Sequence, residues 1–296
     1  MAEVSAFYIP EGREQNFLLK LFQVAVPASK REWREHHHLQ VELVLFHEGN
    51  GRYRTRKKEY TIQPDDVFVF ASNEVHCITE IGVGGMRLTN LHFEPQYLWK
   101  NTKILSSKNI ALSFAHGESF ENRLPRAHPV TTRIRCLLMD IEQEMAQRKE
   151  EYEWMVQLRI MEIFLLLTRE LGYSDGMPKN QTQQRHLQAV STAMEFINTH
   201  LDEPLTLQQI ADVVQISPNY FSALFRSINH MPLWDYVTAR RVELAIQLMN
   251  TGDSDSMLDT AMRSGFNNTA NFNKAFRKYT GMTPTDYRKH GGGDLY

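Results

Sequence analysis

The second half of the chain carries one residue pattern twice. Ile210-Ala211 and, past four residues, Ile216 are matched by Thr260-Ala261 and Phe266 at an offset of 50. Phe221, Phe225 and Arg226 are matched by Phe272, Phe276 and Arg277, and Asp235-Tyr236 by Asp286-Tyr287, at an offset of 51. Such self-similarity marks two copies of one supersecondary unit, and the change of offset puts one extra residue at the turn of the second copy. Leu207, Ile210, Ala211 and Val214 form the apolar face of a short helix. Gln215-Ile216 is the turn, Ser217 a good N-cap, and Pro218 stands at the favoured first helical position. In the second copy Gly265 supplies the turn, where positive φ is cheap. Ala211 and Ala261 let helices cross closely, and the four phenylalanines are the core side of each second helix. A plain helical bundle could share the apolar spacing, but the turn and cap chemistry favours a duplicated helix-turn-helix.

Composition bounds the rest. With 42% hydrophobic and 23% charged residues the chain is of ordinary globular type, and 296 residues suit two domains. Two cysteines, Cys77 and Cys136, exclude a disulfide framework or a cysteine-rich zinc site, while twelve histidines leave a histidine-based site open. The first residues lack a basic-then-apolar leader pattern, and the longest apolar run, Ile163–Leu167, falls far short of the ~20 residues that cross a bilayer. A soluble, cytoplasmic protein with no membrane association is expected. The net charge of −2 does not announce a nucleic-acid binder.

From about residue 20 to 95 the signals are β-like. Val41–Phe46 is a strand-length apolar run ended by Gly49-Asn50-Gly51, a turn signal, and Arg52–Arg56 alternates with period two. Gln63–Asp66 precedes the strand VFVFA, Ser72–Glu74 precedes Val75–Thr79, and Met86–Phe93 follows. Strands at this spacing predict an antiparallel barrel or sandwich. From about residue 130 the period is helical, with Ile134, Leu137, Leu138, Ile141 and Met145 on one face. A second helix has Met155, Leu158, Met161 and Leu165 on one side and Ile160, Ile163, Phe164 and Leu167 beside them. That arc is too wide for one buried face, so a partner subunit is expected to cover part of it. The polar segment Ser174–Gln184 reads as a linker. The expected fold class is α+β: an N-terminal barrel with dimerisation helices over residues 1–172, a linker over 173–184, and an all-α domain over 185–296.

Residues Leu205–Lys289, through LTLQQIADVVQISPNYFSALFR and AMRSGFNNTANFNKAFRKYTGMTPTDYR, resemble the DNA-binding domain of the AraC/XylS family of bacterial transcription regulators. The resemblance implies that the second helix of each copy enters a major groove of double-stranded DNA. The family's base-reading positions match Asn219, Ser222 and Ala223 in the first copy, and Thr269, Ala270, Asn273 and Lys274 in the second. Helical spacing turns these residues away from the inward phenylalanines. Asn can pair with adenine, Lys with guanine, and Ala can touch a thymine methyl. Arg226 and Arg277 fit phosphate clamps. A connecting helix from Pro232 to Asn250 would span ~28 Å, close to the ~34 Å turn of B-DNA. Basic and acidic residues beyond 185 nearly cancel. Few cations are spare for counterion release, which favours a homodimer or help from RNA polymerase.

His36-x-His38-x3-Glu42, Gly49/Gly51, Pro64-Asp65 and His76 resemble the cupin motifs of AraC-type sensor domains, implying a cupin-like barrel around a small-molecule effector. The match departs at Pro64-Asp65-Asp66, which lacks the usual glycine after proline, and at Ala71-Ser72, where proline is common; both concern loop geometry. Alternation puts His36, His38, Gln40 and Glu42 on one strand face, and Leu88, Asn90 and His92 on another. By similarity to sugar-responsive members, the latter face and the strand end near Glu48 and His76 line the pocket. Asn90, His76 and Glu48 could hydrogen-bond hydroxyls, and Trp33 could stack on a sugar. The candidate ligand residues are Trp33, His36, His38, Glu42, Glu48, His76 and Asn90. Three histidines and a carboxylate are also a plausible divalent-metal set, although the family's pockets more commonly hold an organic effector, and no metal or cofactor is assigned. The alternation of Arg52–Lys58 fits a solvated hairpin better than a second nucleic-acid patch.

The favoured function is a ligand-responsive, sequence-specific transcription regulator. The alternative is a metal-dependent cupin enzyme, or a metal sensor, fused to a DNA-binding domain. No G-x-S-x-G, P-loop or G-x-G-x-x-G motif is present, and no catalytic residue is assigned.

Overall fold

The computed structural model describes residues 3–11, 16–28, 35–36, 38–55, 58–93, 120–173, 180–229, 231–251 and 256–290. Trp33 and residues 174–179 of the expected linker lie outside them. The chain divides into two compact units between residues 179 and 180.

In the first unit, strands β1 (Glu3–Glu11), β2 (Asn16–Val26), β3 (Val41–Thr55), β4 (Glu59–Ile62), β5 (Val67–Phe70) and β6 (His76–Phe93) form one sheet. Its order is β1-β2-β6-β3-β4, with β5 also on β3. The pairings β2–β6, β3–β4, β3–β5 and β3–β6 are antiparallel. β3 and β6 run together over most of their length, and their register shifts between Phe46 and Glu48, Gly49 and Gly51, and Arg52 and Tyr53.

The turn expected at Gly49–Gly51 is therefore replaced by a bulged strand. A Cβ on Gly49, whose φ is +93°, would lie 2.3 Å from the Gly85 carbonyl oxygen, and one on Gly51 would lie 2.2 Å from that of Glu80. These glycines admit the close backbone of β6; they do not reverse the chain. Likewise the two strands expected at 75–79 and 86–93 are parts of the single strand β6. Beyond the bulges the far end of β3 meets β5, which pairs with the start of β3: Tyr53 stacks on Phe68 at 5.2 Å and lies tilted 4.9 Å from Phe70.

Helices α1 (Pro129–Gln147) and α2 (Tyr152–Glu170) cover the outer face of the sheet. Leu43, Leu45, Leu91 and Phe93 pack there with Ile134, Leu138, Ile141, Ile160, Ile163 and Phe164 in one buried cluster. The run Val41–Phe46 is thus buried on both faces, which explains why it reads as continuously apolar except at Glu42. In the Pro64–Asp66 turn, Asp65 adopts φ +71°, the left-handed region where glycine is unstrained. Buried Asp66 offsets that strain by accepting from Gln63 N at 2.9 Å and from two Arg126 nitrogens at 2.6 and 2.8 Å.

The second unit contains α3 (Gln181–Thr199), α4 (Leu207–Val213), α5 (Pro218–Asn229), α6 (Leu233–Thr251), α7 (Met257–Arg263), α8 (Thr269–Thr280) and α9 (Pro284–His290). α3 starts inside the segment expected as linker, because the Asn180 side chain caps it by accepting from Gln183 N at 2.9 Å. The two copies of the repeat match bond for bond. Ile216 N donates to Ala211 O at 3.1 Å, and Phe266 N donates to Ala261 O at 2.9 Å. The turn residues before them, Gln215 and Gly265, take φ +56° and +84°. Thr206 and Ser256 cap the first helices of the two copies. The recurring Asp-Tyr pair is explained by packing: Tyr236 lies 5.5 Å from the Phe225 ring, and Tyr287 lies 5.5 Å from that of Phe276.

Candidate functional site

Among the described residues, the inner face of the sheet carries a cluster of buried ionisable side chains beside apolar and aromatic ones. The β3–β6 register sets Glu42 opposite His92 and Val44 opposite Asn90. Glu42 is 1% exposed, and His76, His92 and Asn90 are buried around it. Glu42 Oε2 lies 2.8 Å from His38 Nε2 and 2.9 Å from His76 Nε2, while Oε1 lies 3.4 Å from His92 Nε2. The His38 and His92 rings stack at 4.3 Å, Phe70 stacks on His76 at 4.2 Å, and Phe22 meets the edge of His92 at 5.4 Å. Burial opposes ionisation of Glu42, but His76, His92 and the bond from His38 prevail and hold its pKa well below the usual carboxylate value. Burial pushes His92 the other way, down to about 4, with His38 adding to the shift. A buried anion therefore sits among imidazoles, one of which is held neutral.

Of the sequence-derived ligand residues, the structure brings together His38, Glu42 and His76, with Asn90 two residues from His92 on the same strand. The path differs from expectation. β3 begins only at Val41, so His36 and His38 do not extend its face. His38 reaches Glu42 across a bend at Leu39-Gln40, with its Nδ1 3.0 Å from the Gln40 carbonyl. His36 pairs through its backbone with His76 and packs 4.5 Å from that ring, outside the carboxylate cluster. Glu48 does not join the site: it is 69% exposed and pairs with Arg87 at 2.7 Å. The bulge after Phe46 breaks the alternation that would have turned it inward. Trp33 lies outside the described residues. His92, which alternation had put on the pocket-lining face without naming it a ligand residue, joins the cluster, and the register sets it against Glu42. The run from Arg52 is part of β3, paired with β4 on one side and β6 on the other, and its exposed arginines are ion-paired, Arg52 3.0 Å from Glu80 and Arg54 3.4 Å from Glu35.

In the second unit the candidate DNA-facing residues lie on the outer sides of α5 and α8. Asn219, Ala223, Arg226, Thr269, Ala270, Asn273, Lys274 and Arg277 are exposed, and Ser222 is half-buried. Phe221, Phe225, Phe272 and Phe276 are fully buried behind them. Asn268 caps α8 by accepting from Asn271 N at 2.8 Å. The second helix is braced by Tyr279, whose hydroxyl donates to the Asp235 carbonyl at 2.9 Å, and by Lys278, 3.3 Å from the Asp235 carboxylate. Exposed Tyr220, next to Asn219, lies 3.0 Å from His186 Nε2 through its hydroxyl and adds a polar aromatic to the outer side of α5. Among the described residues no helix is long and apolar enough to cross a membrane.

Residues 25–168 match the model of the AraC-like ligand binding domain, and residues 210–290 match that of a helix-turn-helix domain. The chain is 27% identical over 265 residues to the melibiose operon regulatory protein of Escherichia coli K12, covering 86% of this chain and 83% of that protein. It is 33% identical over 103 residues to the regulatory protein SoxS of Salmonella typhimurium, covering 35% of this chain and 95% of SoxS. ToxT from Vibrio cholerae shares the fold, with a TM-score of 0.61 at 8% identity over 97% of this chain and 98% of ToxT. A sensor-type sheet domain followed by two helix-turn-helix copies, matched over both parts by regulators, makes the chain a member of the AraC family of ligand-responsive, DNA-binding transcription regulators.

Proposed function

We propose that the chain senses a small polar effector at the His38/Glu42/His76/His92 cluster and reads DNA with α5 and α8. The observation that carries the reading is Glu42, a buried and ionised carboxylate ringed by imidazoles on the inner face of the sheet. A buried charge costs several kcal/mol unless it is paired, and a binding site is one reason to keep it. Asn90, whose side-chain oxygen is buried without a hydrogen-bond partner in the structure, supplies a further polar group on the same strand. Hydroxyl-rich metabolites, sugars included, suit such a lining. Asn273 and Lys274 would discriminate bases, while Arg226 and Arg277 would hold phosphates. The relatives matched over both domains are regulators by name, which supports a sensor and not an enzyme.

The same reading includes a homodimer. Trp154, Leu158 and Leu165 of α2 are 50%, 53% and 44% exposed, and with half-buried Met161 they form a stripe at spacings of four, three and four residues. Such a stripe suits a second copy of the helix. Pairing would offset the near-neutral charge of the second unit, and RNA polymerase is the other source of added affinity. A thermal-shift screen of small polar metabolites tests the effector reading: a ligand at 100 times its Kd raises stability by about 2.7 kcal/mol. Glu42→Gln should abolish that shift. A hit that stabilises wild type and the variant equally would overturn the assignment.

A further inference from the structure

We propose that His38, Glu42 and His92, with His76 behind them, bind a divalent first-row transition-metal ion. The argument starts from the outer nitrogens of the rings. His38 Nδ1 lies 3.0 Å from the Gln40 carbonyl, and His76 Nδ1 lies 2.8 Å from the Glu74 carbonyl. A carbonyl can only accept, so both rings carry hydrogen on Nδ1. In a neutral ring Nε2 then presents a lone pair. Both Nε2 atoms nevertheless face the same carboxylate oxygen, Glu42 Oε2, at 2.8 and 2.9 Å. His92 Nε2 approaches the other oxygen at 3.4 Å. Three ring nitrogens thus converge on two carboxylate oxygens inside the sheet, an arrangement that needs positive charge, supplied either by a bound cation or by extra protons on the rings.

A metal ion satisfies this geometry. The ligand atoms of His38, Glu42 and His92 all lie within 4.8 Å of one another. Ligands that share one ion at ~2.0–2.2 Å fall within about that span. Mixed imidazole and carboxylate donors suit zinc, iron, nickel or copper, whereas magnesium and calcium take all-oxygen sets. Backbone carbonyls on Nδ1 are the outer partners that fix a ligating histidine's tautomer and aim its Nε2. His76, on the same oxygen as His38, is placed to act as a further ligand. His38 is 14% exposed on its side chain, against 1% for Glu42 and 5% for His92, so it marks the side of entry. The proposal deepens the reading of this pocket as the sensor site and rests on that reading for its regulatory meaning.

The test uses the full-length chain, stripped with chelator, dialysed, and titrated with Co²⁺ and then Zn²⁺. One equivalent of Co²⁺ should bind with a visible ligand-field band that Zn²⁺ displaces. His92→Ala and the rim variant His38→Ala should each weaken binding at least ~10-fold while circular dichroism melting stays cooperative. A folded wild type that binds under a tenth of an equivalent would overturn the proposal, as would unchanged affinity in both variants; two protonated imidazoles would then hold the carboxylate. If the stripped chain binds no metal yet shows an effector-dependent thermal shift, the metal fails and the sensor reading stands. If metal binds stoichiometrically but no ligand or metal alters DNA binding, the site stands and the sensor reading fails.

Discussion

Gly265→Ala should damage the DNA-binding unit far more than its single methyl suggests. The residue takes φ +84°, and an added Cβ would lie 1.9 Å from the Leu201 carbonyl oxygen and 2.6 Å from Arg241 Nε. A left-handed backbone costs a residue with a Cβ about 1–2 kcal/mol. The overlap with the Leu201 oxygen is with backbone, so it is relieved only by moving the turn or the end of α3, at about 1–3 kcal/mol. The shift would also strain the bonds that Arg241 donates to Leu201 O at 2.9 Å and Glu203 O at 2.8 Å. The sum is a loss of roughly 2–5 kcal/mol, a large share of the ~5–15 kcal/mol that holds a domain together. The first copy provides the control. Gln215 already bears a side chain at φ +56°, so Gln215→Gly trades relief of about 1–2 kcal/mol against about 0.5–1 kcal/mol of chain entropy. Urea unfolding of the full chain, followed by binding to DNA and by fluorescence in a variant that keeps Trp234 as its sole tryptophan, reads both. With a slope near ~1–3 kcal/mol per molar, Gly265→Ala should lower the midpoint of the DNA-binding unit by roughly a molar or more, and Gln215→Gly should leave it unchanged or raise it. Equal midpoints for wild type and Gly265→Ala would refute the steric reasoning.

Three further outcomes are expected. Asn273→Ala and Lys274→Ala should each cost ~1–3 kcal/mol on the preferred site and little on random DNA, whereas Arg277→Ala should weaken both and reduce the salt slope by about one; competition titrations at several salt concentrations check this. Leu158→Glu should convert a micromolar dimer into a monomer by light scattering without lowering the melting temperature of the sheet domain; a wild-type monomer at that concentration rejects the interface. In chelator-stripped protein, His92, held at about 4 against an ordinary 6.5, stays neutral when folded and takes up a proton when unfolded. The unfolded state binds the extra proton between these values, so stability should fall as pH falls from 6.5 toward 4, by up to roughly 3 kcal/mol. Depressed Glu42 acts in the same direction, and acid melts of wild type against His92→Phe measure the effect.

What could be read from the residues was what depends on near neighbours in the chain. Pro218 and Gly265 announce a helix start and a turn through local chemistry, and the outward faces of α5 and α8 follow from helical spacing. The sheet was legible in its strands and less so in their connection. Gly49 and Gly51 look like a hairpin turn because the same lack of a Cβ serves a bulge against β6, and only the partner strand tells the two apart. That bulge also misdirects Glu48, since alternation counted from Glu42 turns it inward. His92 joins Glu42 through cross-strand register, a relation between residues 50 apart in sequence. Nor does period two account for His38, which arrives by a bend and not by a strand.

Selection from a random double-stranded DNA library with the full-length protein tests the central claim most directly, because it asks whether the two copies of the repeat read sequence together. Two blocks of enriched bases should emerge, centred about one helical turn, ~10 base pairs, apart. The block read by α8 should lose its preference when Asn273 and Lys274 are replaced by Ala, while the other block persists. A library that shows no enrichment, or one block that survives the double replacement, would contradict the account.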